Sequence, residues 1–311
     1  MDTQVKQIKA QLILDSHDLI GEGPAWDAAG ERFLWMENAT GIVHEARGSG
    51  ASWRESQRWT LGRVTGAVIP RARGGLIVAA GTEILVLDKP GQITRFAAID
   101  ADGSIVKLND AKCDRQGRLW VGTYAHDFRP GVSALYRVDP DGRVTTLLNG
   151  VGLSNGIDWS PDERTLYYID SMTASVEAFD FDAGCGLISG RRTLIQMPSS
   201  EGGLDGMCVD HEGCLWLPLF GSGTVRRYTP EGKWLAVVET TAPAVTSCCF
   251  GGADGGDLFI TSGALRIPDP VLPIIGWSVD MADRASTAPG AGGVFVCRPG
   301  VTGPAATPFA G

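Results

Sequence analysis

Histidine is scarce in this chain of 311 residues: there are four, His17, His44, His126 and His211, widely spaced and never in an H-x-x-x-H arrangement. That excludes the usual helical zinc-hydrolase pattern and turns the search for metal ligands toward oxygen donors. No run of Lys and Arg is present either. With 27 basic against 36 acidic residues the formal charge is −9, so nothing is offered to a phosphate backbone and nucleic acid is not an expected partner. No apolar stretch approaches the roughly 20 residues of a membrane-spanning helix, and the opening MDTQVKQIKAQLILD lacks the apolar centre of a secretory leader. A soluble, cytoplasmic protein without a membrane partner is the expectation. The seven cysteines are odd in number, form no C-x-x-C, and three of them (Cys113, Cys208, Cys248) fall within apolar runs; buried reduced thiols are expected rather than a disulfide framework or a zinc site. G-x-S-x-G is missing, which removes the nucleophile elbow of serine hydrolases. A sustained 3.6-residue period is missing too, outside Val5 to Leu14, and that stretch reads equally well as an outer strand. A TIM barrel or Rossmann fold therefore lacks its helices.

What is abundant is Gly, 42 residues, and a repeated phrase: a small or acidic residue, a Gly-containing turn, then a β-rich run. Its copies are WDAAGERFLWME from Trp26, PRARGGLIVAA from Pro70, CDRQGRLWVGT from Cys113, WSPDERTLYYID from Trp159, VDHEGCLWLPL from Val209 and FGGADGGDLFIT from Phe250. They recur about every 40 to 50 residues, the period of a four-stranded propeller blade. Further hairpins follow within each unit, as in ALYRVDPDGRVTTL and TVRRYTPEGKWLAVV. Six copies predict an all-β, six-bladed β-propeller with four-stranded antiparallel blades around a central channel, residues 1–311 forming one domain whose termini close one blade. Trp120, Trp159 and Trp216 recur at strand positions and read as blade packing.

Three motifs place a polar or acidic residue between Gly and apolar neighbours where the first strand of a blade begins: Gly21-Glu22-Gly23-Pro24, Ser154-Asn155-Gly156 and Leu204-Asp205-Gly206. At one repeat phase, all three would face the same axis. Two carboxylates and an amide oxygen make a hard-oxygen pocket suited to Ca²⁺, with Mg²⁺, Mn²⁺ or Zn²⁺ as alternatives. Lys107-Leu108-Asn109-Asp110 stands in the same place before its own repeat.

These phrases resemble those of the regucalcin, senescence marker protein and gluconolactonase family of six-bladed propeller lactonases. The likeness runs from GEGPAWD at Gly21, through LNDAKCD, SNGIDWS and DGMCVD, to TSCCFGG at Thr246 and AGGVFV at Ala291. It implies one divalent ion held by Glu22, Asn155 and Asp205, the residues the repeat phase had already selected. It also implies substrate contact at Asn109 and at Lys107, the latter standing where the family has Arg. A planar, bidentate donor is thereby replaced by a single flexible ammonium. Tyr124 and Met207 are read as pocket lining, and Asp110 and Asp158 as residues that hold the local turns. The segment 125–136 reads as a shortened lid and the loop 266–292 as an apolar insertion.

The chemistry expected is hydrolysis of a lactone, such as a sugar-acid lactone or related small cyclic ester, with Asp205 as general base and a divalent metal as Lewis acid. Two alternatives stay open: an organophosphate or aryl-ester hydrolase on the same metal site, and a non-catalytic calcium-binding protein. Oligomeric state is not legible.

Overall fold

The computed structural model describes residues 5–50, 52–89, 91–266 and 278–311. Its strands form six sheets, arranged as the six blades of a β-propeller. The first blade contains Gly21–Asp27, Arg32–Glu37, Ile42–Ser49 and Ser52–Thr60; the second Thr65–Pro70, Leu76–Ala80, Glu83–Lys89 and Gln92–Ala98. The third contains Val106–Cys113, Leu119–Ala125, Ser133–Val138 and Val144–Val151; the fourth Ser154–Trp159, Thr165–Asp170, Ser175–Asp182 and Leu187–Gln196. In the fifth the inner strand is split into Gly203–Leu204 and Cys208–Val209, both paired with Leu215–Phe220, before Thr224–Tyr228 and Trp234–Glu239. The sixth contains Val245–Gly251, Asp257–Ser262 and Val294–Cys297, and its outermost strand is Gln11–Leu14, antiparallel to Val294–Cys297.

The ambiguous N-terminal stretch is therefore strand, and it serves two blades. Lys6–Lys9 adds in parallel to the outer edge of the fifth blade before Gln11–Leu14 closes the sixth. Both edges are protected by residues distant in sequence, which suits a closed radial array.

The second strands of the blades bury both faces, because each blade packs on two neighbours, whereas outer strands such as Ser52–Thr60 and Gln92–Ala98 are largely exposed. Leu76, Val78 and Ala80 face the first blade, while the alternating Ile77 and Ala79 face the third. Trp120 packs toward the fourth blade and its neighbours Leu119 and Val121 toward the second. This two-sided burial is why LIVAA and LWVG read as continuous apolar runs rather than alternating ones.

The repeated phrase has a structural cause. In CDRQGRLW, Asp114 Oδ1 accepts the amides of Gln116 (3.1 Å) and Arg118 (3.0 Å), and Oδ2 accepts Trp120 Nε1 at 2.9 Å. In VDHEGCLW, Asp210 does the same for Glu212 (3.0 Å), Cys214 (2.9 Å) and Trp216 Nε1 (2.9 Å). One carboxylate shapes the turn and supplies the acceptor that a buried indole requires.

Two features depart from the sequence reading. A helix, Val279–Thr287, is capped by Ser278 and buries Ala282 and Ala285 against Ala244. Its nine residues are fewer than the roughly 11 to 18 over which a helical period is read. The C-terminal segment crosses the propeller as a strap. It bonds His211 through Thr302 O (2.9 Å), Gly255 through Gly303 N (3.0 Å), Trp26 through Ala306 N (3.1 Å), Pro70 through Phe309 N (2.9 Å) and Gly117 through Ala310 N (3.0 Å), with Phe309 fully buried. Most of these partners lie in turns that follow the inner strands, so the strap closes one end of the channel. No helix is long and apolar enough to cross a membrane among the described residues.

Candidate functional site

All six inner strands break their pairing at the same level. The register skips between Glu22 and Ala25, Thr65 and Ala67, Leu108 and Ala111, Ser154 and Ile157, Leu204 and Cys208, and Val245 and Cys248. Such irregularities re-aim side chains out of the pleat. The skipped positions include Asn109, Asp110, Asn155 and Asp205, and Glu22 stands at the lip of the first. They lie toward the starts of the inner strands, and the cavity that Asp110 lines reaches strap residues Ala306 and Thr307.

At this level the blades are laced together. Asn109 Nδ2 donates to Ser154 O and to Asn155 Oδ1, each at 2.8 Å; Asn155 Nδ2 donates to Ser171 Oγ at 2.7 Å, which donates on to Leu204 O at 2.7 Å. Gly156 N donates to Asp205 O (3.0 Å), Gly206 N to Thr246 O (2.8 Å), and Thr246 Oγ1 to Gly21 O (2.5 Å). The spacing tolerates no side chain at two glycines. A Cβ on Gly206 would lie 2.1 Å from Ser247 Oγ, and one on Gly156 2.9 Å from Met207 N.

The electrostatics identify the residues that meet. Burial, followed by the charges of Asp205 and Asp110, holds Glu22 well above the usual carboxylate range. Burial, followed by Asp110, does the same to Asp205. Asp110 is pushed up to about 6 by burial, with Lys112 pulling the other way. Asp110 and Asp205 make no side-chain hydrogen bond to any described residue, and Glu22 accepts only its neighbour's amide, Gly23 N, at 3.1 Å. The nearby ammonium, Lys112, is already 2.7 Å from Asp158. Three buried carboxylates with uncommitted oxygens are a donor set that a divalent cation would neutralise, and hard oxygens fit Ca²⁺, Mg²⁺ or Mn²⁺. Among the described residues no three His, Cys, Asp or Glu side chains are gathered closely enough to make a metal cluster by themselves.

The family described as SMP-30/Gluconolactonase/LRE-like region matches residues 20–264. The chain belongs to this family. It is 38% identical to the regucalcin of Danio rerio over 272 residues, covering 86% of this chain and 91% of that one. Among solved structures it resembles a luciferin-regenerating enzyme (TM-score 0.85, 26% identity, 97% and 99% of the two chains covered). It also resembles a gluconolactonase of Xanthomonas campestris (TM-score 0.68, 25% identity, 82% and 86% covered).

Within this SMP-30/gluconolactonase chain the remaining expected residues are distributed unevenly. Met207 is buried at 2% exposure against Ile169 and Leu204, and lines a cavity together with Asp110, Lys112 and Ser247. Asn109 is engaged in holding Asn155. Lys107, in strand Val106–Cys113, turns its ammonium back onto the carbonyl of Gly103 in the preceding loop. Tyr124 pairs opposite Lys107, its ring 6.2 Å from that of Phe128, and burial raises its pKa. Of the two residues read as turn holders, Asp158 does bond its neighbour, Trp159 N, at 2.8 Å through Oδ1, but its Oδ2 reaches other blades. Asp110 holds no local turn; it joins Glu22 and Asp205. Lys112 and Ser171 were not anticipated. The signal for Lys112 was a cation next to buried Cys113 at the end of its strand; Ser171 had none. Of the 266–292 loop, residues 267–277, including PVLPIIGW through Trp277, lie outside the described residues.

Proposed function

We propose that this protein is a divalent-metal-dependent lactonase that opens a small cyclic ester, such as a sugar-acid lactone, to its hydroxy acid. The observation that carries this reading is the group of Glu22, Asp110 and Asp205, three buried carboxylates held above their ordinary range and with uncommitted oxygens, at the level of the inner strands where Asn155 also stands. Family membership supports it, as does the likeness to a gluconolactonase. Glu22, Asn155 and Asp205 would hold the ion, Ca²⁺ by preference for hard oxygens, with Zn²⁺, Mn²⁺ or Mg²⁺ as substitutes. When bound, it supplies Lewis-acid polarisation of the ester carbonyl.

The chain's own residues supply the rest. Asp205, at the ion and beside the attacking water, takes that water's proton. Asn109 and Ser171 hold the Asn155 amide in one orientation. Lys107 and Tyr124 offer a cation and a phenol to the hydroxyl groups of the lactone. The seven unpaired cysteines support a reducing, cytoplasmic setting.

Acid release from a panel of lactones by untreated, EDTA-stripped and Asp205→Ala protein tests this. Opening of at least one lactone by the untreated protein alone is expected; equal rates in all three would end the lactonase reading. The altered loops, 125–136 and 266–292, motivate one rival substrate class, organophosphates and aryl esters, so a phosphotriester belongs in the panel. Calcium binding without turnover of any substrate would favour the non-catalytic alternative.

A further inference from the structure

The inner strand of the fifth blade leaves its own sheet between Leu204 and Cys208, so the backbone groups of Asp205, Gly206 and Met207 need partners elsewhere. They find them on other blades. Asp205 O is held by Gly156 N of the fourth blade, and Gly206 N by Thr246 O of the sixth. Lys112 Nζ reaches from the third blade to Met207 O at 3.2 Å, and simultaneously to Asp158 Oδ2 of the fourth at 2.7 Å. The same Asp158 oxygen accepts Val209 N of the fifth blade at 2.9 Å. Two side chains thus tie the backbone two and four residues beyond Asp205 to two neighbouring blades.

We propose that the Lys112–Asp158 ion pair is the positioning element for Asp205, fixing the unpaired stretch of the fifth inner strand so that the carboxylate meets Glu22 and Asn155. The inference rests on Asp205 being a metal ligand and base. Neither side chain is asked to touch substrate. Stability alone is a poor reason for such a pair, because desolvation offsets much of the attraction and apolar replacements are often tolerated. What an apolar pair cannot do is donate to Met207 O and accept from Val209 N. Lys112 lines the cavity beside Asp110, which strap residues Ala306 and Thr307 also border, as well as a second one bordered by Pro304 to Thr307.

The test compares wild type with Asp158→Asn and with the double variant Lys112→Met/Asp158→Asn. Lys112→Met alone strands a buried carboxylate; the double variant removes both charges and is expected to melt near wild type. Hydrogen–deuterium exchange of the metal-free proteins reads positioning directly. Segment 203–209 should exchange faster in the double variant, with Asp158→Asn intermediate, while Leu76–Ala80 in the second blade stays unchanged. Calorimetric titration with Ca²⁺ should show binding weakened about 10- to 100-fold, with kcat reduced more than KM is raised. Unaltered exchange at 203–209 in both variants, with wild-type Ca²⁺ affinity, would overturn the proposal. Wild-type protein that binds no Ca²⁺ would instead overturn the metal reading, and the exchange data would still decide the positioning claim.

Discussion

Asn109 Nδ2 donates to Asn155 Oδ1 at 2.8 Å, across the seam between the third and fourth blades. A residue read as a substrate contact is therefore also what orients the amide of a proposed metal ligand. Asn109→Ala should weaken Ca²⁺ binding about tenfold or more, as loss of outer-shell partners does, and titration calorimetry checks it. A variant that loses turnover with unaltered Ca²⁺ affinity would assign Asn109 to substrate alone.

Gly206 allows the fifth inner strand to lie against Ser247, whose Oγ would be 2.1 Å from an added Cβ. Gly206→Ala should destabilise the protein by roughly 1–3 kcal/mol through overpacking, measured by urea denaturation. Ser247→Gly in the same chain should recover most of that loss.

Asp210 is the buried acceptor of its repeat, taking Trp216 Nε1 at 2.9 Å and Arg227 Nε at 2.8 Å as well as two turn amides. Asp210→Ala leaves all of these donors unpaired and the guanidinium without its buried counter-charge. A loss of about 3–5 kcal/mol is expected, whereas Glu212→Ala, whose carboxylate is mostly exposed, should cost less than about 1 kcal/mol.

His44 is buried, stacks on Trp35 at 4.6 Å, and lies between Asp18 and Glu55. Burial works against its charge, but the two carboxylates outweigh it and hold its pKa above the ordinary 6.5. Its protonated form thus stabilises the fold fully below about pH 6.5, and that contribution is lost as pH rises through the raised folded value. Melting temperature followed from pH 5 to 9 should show this loss in wild type and not in His44→Gln.

The propeller was legible because Gly-containing turns and strands apolar on both faces return about every 40 to 50 residues, and in the third and fifth blades an acidic turn residue also pairs with a buried Trp. The common level of Glu22, Asn155 and Asp205 on their inner strands was legible because their glycine-flanked motifs share one phase. Lys112 and Asp158 were not, since their meaning lies in contacts among three blades that no local pattern records. Asp110 was read as a turn residue because turn chemistry and site chemistry use the same side chain. The strap carries no periodicity, and its role follows only from what it crosses.

The central claim is that one divalent ion held at Glu22, Asn155 and Asp205 makes this protein a lactonase. Initial rates of lactone opening, followed by pH-stat as Ca²⁺ is titrated into metal-stripped protein, test it most directly. The account predicts a saturable rise in rate with wild type, none with Asp205→Asn, and a curve shifted to higher Ca²⁺ with Glu22→Gln. A rate in wild type that is independent of added Ca²⁺, Mn²⁺ and Zn²⁺ would contradict it.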